Sequence, residues 1–109
     1  MKLCISVLLI VTLSVVSLYA KVNSLSSSSE IFNGCAKCHG RDGLNPAFGT
    51  SEPIAGQPEE DLIESMNFFK ESQFKGRGVI LVMARQVKYL SQKQITDLAT
   101  YISNLNKVK

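Results

Sequence analysis

Cys35-Ala36-Lys37-Cys38-His39 is a CxxCH motif, and its reading governs the rest of the chain. Two thiols at this spacing can each bond one vinyl group of the same porphyrin. The adjacent imidazole then falls under the iron as its proximal ligand. The porphyrin fixes the distances between its vinyl carbons and its metal, so the chemistry needs these residue types in this order. The motif therefore reads as a c-type haem attachment site, with Cys35 and Cys38 holding the macrocycle and His39 on the iron. Other readings of CxxC are weaker. A redox pair of the thioredoxin kind sits near a βαβ pattern, and no strand pattern surrounds this motif. A structural zinc site takes four ligands. Outside the motif the chain has only Cys4, in its N-terminal segment, and no other His.

That N-terminal segment runs Met1-Lys2, then apolar from Leu3 to Val16, and ends Leu18-Tyr19-Ala20. One positive charge, a short apolar core and a small residue at the cut describe a secretory signal peptide, cleaved after Ala20. The rival is an uncleaved anchor, because the run is just long enough to span a bilayer. Its hydroxyl residues Ser6, Thr12, Ser14 and Ser17 and its place at the extreme N-terminus favour the signal. The expected organisation is thus residues 1–20 signal peptide, 21–29 a Ser-rich tether and 30–109 one small domain. A domain this short has a marginal apolar core, which a buried haem would complete. The net charge of +3 over 109 residues is too small to argue for nucleic acid. Neither a phosphate-binding loop, a dinucleotide fingerprint nor an internal repeat is present.

The rest of the chain reads as helix and loop. Ser29 is placed to cap a helix from Glu30 that carries Ile31, Phe32 and Cys35 on one face and ends at Gly40. Arg41 to Gln57 is loop, with Pro46 and Pro53 excluding regular helix. Pro58 suits the first position of a second helix, with Glu59, Glu60 and Asp61 in its first turn. Leu62, Ile63, Met66 and Phe69 recur at helical spacing, and Gly76 and Gly78 are expected to end it. Ile80, Met83, Ala84, Val87 and Leu90 again follow helical spacing, although Val79 to Val82 also suits a strand. Ser91 and Gln94 form a capping box for a last helix whose apolar face is Ile95, Leu98, Ala99, Ile102 and Leu105. Lys107 and Lys109 suit its C-terminal dipole.

The sixth iron position decides between an open and a closed haem. A thioether there raises the reduction potential and shuts out substrate. Downstream of His39 the candidates are Met66 and Met83. Met66 lies inside the acidic second helix and reads as a packing residue. Met83 is either a flexible gap-filler in an apolar stripe or the ligand, and spacing alone leaves both open.

Over residues 28 to 105 the chain resembles a class I cytochrome c of the small, soluble, bacterial monohaem type. Ile31-Phe32-Asn33-Gly34-Cys35-Ala36-Lys37-Cys38-His39-Gly40 is similar to that family's aromatic-containing helix running into CxxCHG. Pro53-Ile54-Ala55-Gly56-Gln57 is similar to its P-x-L-A-G-Q segment, Met83 to Ser91 to its ligand-methionine segment, and Asp97-Leu98-Ala99-Thr100-Tyr101-Ile102 to its C-terminal helix. The resemblance implies an all-α fold of three to four short helices around one covalently bound haem c. It implies His39 and Met83 as axial ligands. It also implies that the Pro53 carbonyl accepts from His39 Nδ1, and that Phe32 meets Tyr101 where the first and last helices cross. The chain departs from the family at Ser28, where a Gly is common, and at Gly78-Val79-Ile80-Leu81-Val82, where relatives are more polar.

The expected function follows: a periplasmic, monomeric electron carrier, not an enzyme, shuttling single electrons between respiratory complexes. The resemblance implies a quinol-oxidising complex or dehydrogenase as donor and a terminal oxidase or peroxidase as acceptor. Lys37, Arg41, Lys75, Arg77, Arg85 and Lys88 are candidates to ring the haem edge and steer an acidic partner. Rival readings are an open-iron protein for gas sensing or peroxide chemistry, and an anchored subunit of a larger redox complex. No spare His or acidic cluster serves acid/base work near the expected distal segment, which counts against catalysis.

Overall fold

The computed structural model describes residues 2–106, without the side chains of 20–26. Lys107 and Lys109 lie outside the described residues. The described residues form four α-helices, α1 Lys2–His39, α2 Glu59–Glu71, α3 Val79–Val87 and α4 Gln92–Asn104, with single 3-10 turns at Ala47–Gly49 and Ser72–Phe74. No strand occurs among the described residues, as expected for an all-α cytochrome c fold.

α1 differs from the expectation at its start. Ser29 does not cap a new helix, because the helix already runs through it from Lys2. Serine costs a helix only a few tenths of a kcal/mol per residue relative to Ala (range up to ~0.7), whereas starting a second helix repeats the nucleation cost. Residues 3–19 are all exposed. The C-terminal part of α1 buries one stripe: Ser28, Phe32 and His39 are buried, and Cys35 and Ala36 are half-buried. These positions recur at helical spacing and face the core.

α4 is the other half of that core. Ile95, Leu98, Ala99 and Ile102 are buried at the predicted spacing, and α1, α2 and α4 pack together. The Phe32 and Tyr101 rings meet with centroids 5.4 Å apart, as expected at the helix crossing. The small buried residues Ser28, Ala99 and Ser103 keep the side chains on both helices short. The capping box is present: Gln94 N–H donates to Ser91 Oγ at 3.1 Å and Ser91 N–H to Gln94 Oε1 at 2.9 Å. Ser91→Ala should therefore cost about 1 kcal/mol, read as a lower denaturant midpoint at unchanged slope.

α2 starts one residue later than expected, with Pro58 as its N-cap. Its acidic first turn suits the positive end of the helix dipole, and Leu62 and Met66 are buried. Thr100 Oγ1 donates to Glu59 Oε2 at 3.0 Å and pins this end to α4. The other end stops at Glu71, before Gly76, and tightens into the 3-10 turn Ser72–Phe74. Lys70 Nζ donates to the Leu90 carbonyl and ties α2 to the turn between α3 and α4. Gly78, at φ 59 and ψ −130, caps α3 in a conformation that only Gly holds without strain. The stretch Val79 to Val82 is helix, not strand.

Candidate haem site

The site is built at the C-terminal end of α1. Gly40, at φ 80, turns the chain out of the helix, and its N–H closes on the Ala36 carbonyl at 2.9 Å. The Cys38 and His39 carbonyls are capped by one residue: Asn45 N–H donates to His39 O at 2.9 Å and Asn45 Nδ2 to Cys38 O at 2.8 Å. Asn45 thus locks the backbone that carries the CxxCH residues. Sequence reasoning missed it, because an Asn before a Pro in a loop signals a turn and not the carbonyls it will reach. Farther along, the Gly43 carbonyl accepts from Ile54 and Ala55, and Gly56 N–H donates to Ile102 O at 3.2 Å. These bonds fasten the loop against the end of α4.

A cavity of 410 Å³ opens beside this turn. Cys35, Cys38 and His39 line it from α1, Leu62, Met66 and Phe69 from α2, and Leu98 and Ile102 from α4. α3 supplies Val79, Val82, Met83, Gln86 and Val87. Those five α3 positions recur at helical spacing, so one helix face forms one wall. The strand alternative would have sent neighbouring residues to opposite sides. Met83 is therefore brought to the same cavity as the CxxCH residues. Met66 lines it too, and it also belongs to the buried core cluster, as its reading as a packing residue requires. Phe48 lines the mouth, a residue the sequence reading did not single out.

Pro53 is exposed and is not in the cavity wall; its carbonyl accepts from Gln57 Nε2 at 2.8 Å. His39 is buried, and its Nδ1 has no hydrogen-bond partner among the described residues. Burial also lowers the His39 pKa below its ordinary value, because the charged ring loses its water. The neutral imidazole so favoured is the form that can bind a metal. For Cys35, burial pushes the thiol pKa up, partly offset by its hydrogen bond with backbone; its Sγ lies 3.7 Å from the Ile31 carbonyl. Cys35 and Cys38 are both free of disulfides. Among the described residues no cluster of three or more His, Cys, Asp or Glu side chains could hold a metal ion by itself.

These residues fit a covalently held haem. The cavity wall is mostly apolar, as a macrocycle requires. It carries both thiols needed for thioether links. It presents one buried imidazole whose Nδ1 has no hydrogen-bond partner among the described residues.

Comparison with known proteins gives the same answer. A cytochrome c of Helicobacter pylori, cytochrome c-553, is 33% identical over 96 residues, covering 88% of this chain and 95% of that protein. A cytochrome c-553 of Nitratidesulfovibrio vulgaris is 26% identical over 80 residues, 73% of this chain and 78% of that protein. A thiosulfate dehydrogenase electron acceptor of Thiomonas intermedia is 40% identical over 72 residues, 65% of this chain but only 31% of that longer protein. The sequence model of cytochrome c itself matches residues 27–106, the span that holds the buried stripe of α1, the cavity and α4. The chain therefore belongs to the cytochrome c family, as a small bacterial class I cytochrome that carries covalently attached haem c and transfers electrons.

Proposed function

We propose that this cytochrome is a diffusible periplasmic carrier whose iron is closed by His39 on one side and Met83 on the other. The observation that carries this reading is that Met83 and His39 line one apolar cavity from different helices. When bound, haem supplies the one-electron couple, and the chain supplies its axial ligands and low-dielectric packing. Cys35 and Cys38 prevent loss of the group over repeated encounters. The orphaned His39 Nδ1 needs an acceptor, since a buried unpaired donor costs about 1–3 kcal/mol. The Pro53 carbonyl, the acceptor that the resemblance implies, is taken up by Gln57 Nε2 and makes no bond to His39 in this structure.

The carrier is exported by residues 1–20 and released by cleavage after Ala20, leaving 21–29 as a short lead into a monomeric domain. An anchored form is the second reading, which the same segment allows as readily as a signal peptide. Lys2–Tyr19 is a helix long and apolar enough to cross a membrane, about 27 Å at 1.5 Å per residue. Intact mass of the native protein separates the two: a chain starting at Lys21 supports the carrier, and one retaining residues 2–19 supports the anchored subunit.

Its partners are redox proteins with acidic docking faces, a quinol-oxidising complex or dehydrogenase as donor and an oxidase or peroxidase as acceptor. The relative named as a thiosulfate dehydrogenase electron acceptor is compatible with a dehydrogenase donor. Lys37, Arg41, Lys75, Arg77 and Arg85 are exposed, and Lys88 is half-buried with its ammonium 4.4 Å from the Tyr89 ring centre. None of the six makes an ion pair with a described residue. No Asp or Glu occurs from Ser72 to Thr96, a stretch that carries Lys75, Arg77, Arg85, Lys88 and Lys93. Such a one-signed field steers anions toward it and fades as salt shortens its range from about 30 Å at 0.01 M to about 8 Å at 0.15 M. Oxidation of the ferrous protein by ferricyanide should therefore slow several-fold over that range, and Arg85→Glu should slow it further at low salt. A rate indifferent to both would remove these cations from the docking face.

A further inference from the structure

We propose that Phe48 is a cover on the bound haem: its ring closes part of the cavity mouth against water, and a strained backbone holds it there. The proposal rests on the reading that the cavity holds haem. Phe48 has φ 56 and ψ 19, the left-handed region, where a bulky residue is an outlier. Among the described residues Asn106 is the other non-Gly residue with positive φ, but Asn visits that region routinely. Strain of this kind persists only where the surroundings over-determine it, and it concentrates at ligand clamps.

The surroundings do over-determine it. Gly49 N–H donates to Pro46 O at 2.9 Å, Thr50 N–H to Ala47 O at 3.2 Å and Ser51 N–H to Ala47 O at 3.3 Å. Ala47 N–H donates to Ser51 Oγ at 2.8 Å, and Ala47 itself is buried. Four bonds thus clamp the loop that carries the exposed aromatic ring of Phe48. The protein core does not compensate the strain, because Phe48 is 58% exposed and outside the core cluster. Phe48 does belong to the cavity wall, as do Ser51 and Glu52 of the same loop. The apolar surface it is positioned to meet is therefore that of the cofactor. Excluding water there disfavours the more highly charged ferric state and raises the potential.

The test is potentiometric titration and denaturant unfolding of the holoprotein carrying Phe48→Ala, Phe48→Gly or Phe48→Leu. The cover predicts a shift to lower potential in Ala and Gly and a potential near that of the parent in Leu, which keeps an apolar side chain. Strain predicts that Gly resists denaturant better than Ala, since Gly adopts left-handed φ freely. The ferric sulfur-to-iron absorption band should survive in all three, which separates a lost cover from a lost sixth ligand. An unchanged potential in Ala and Gly, a Leu variant shifted as far as Ala, or loss of the band in Ala would each overturn the proposal.

Discussion

The double variant Cys35→Ala/Cys38→Ala should fail to give a stably folded, haem-free protein: its circular dichroism should lose helix and its unfolding should lose cooperativity. The reason lies in where the cavity sits. The buried core cluster is Phe32, Leu62, Met66, Val87, Ile95, Leu98, Ala99 and Ile102. Of these, Leu62, Met66, Val87, Leu98 and Ile102 also line the 410 Å³ cavity. Without a group filling it, those five core residues would border a void on one side. Domains are stable by only about 5–15 kcal/mol, and truncating one buried Leu to Ala already costs about 2–5 kcal/mol. A cavity that strips one side from five core residues exceeds that margin. Covalent attachment is what guarantees the filling, so the single variants should retain haem by one thioether and the double variant should release it on denaturation. A double variant that unfolds cooperatively in its haem-free form would show that the helices hold the core alone.

Met83→Ala should have the second largest effect, on the iron and not on the fold. Met83 is half-buried and outside the core cluster, so its loss should cost less stability than a core truncation. If it is the sixth ligand, the variant should lose the ferric sulfur-to-iron band, bind carbon monoxide when reduced, and drop in potential by a sizeable part of the roughly 0.8 V that axial ligands command. Met66→Leu is the matched control. Met66 also lines the cavity but is a core residue, so this nearly volume-conserving change should cost under about 1.5 kcal/mol and leave the band in place. A band lost with Met66 and kept with Met83 would exchange their roles.

How much of this was legible in the sequence depended on how local each signal was. CxxCH is self-contained, and so is the Ser91/Gln94 capping box; both could be read without knowing the fold. The apolar faces of α2 and α4 were legible because burial at Leu62, Met66, Ile95, Leu98, Ala99 and Ile102 imposes the helical period. α3 was ambiguous, since Val79 to Val82 suits either a strand or a buried helix, and only the cavity wall it forms resolves the choice. The start of α1 was misread because Ser29 is a good cap in isolation, but a helix already running does not stop for one. The expectation that Gly76 ends α2 missed the 3-10 turn, which depends on how Ser72–Phe74 meets α3. Asn45 and Phe48 were not legible, because one acts through carbonyls seven and six residues away and the other through a left-handed backbone set by its neighbours' hydrogen bonds.

The most direct test of the closed carrier is the absorption spectrum of the purified holoprotein, ferric and ferrous, with and without carbon monoxide. His39 and Met83 ligation predicts a low-spin spectrum, a weak long-wavelength sulfur-to-iron band in the ferric form, and no change when carbon monoxide is added to the ferrous form. A high-spin spectrum that shifts readily with carbon monoxide would contradict Met83 as a ligand and leave an open iron suited to gas binding or peroxide chemistry.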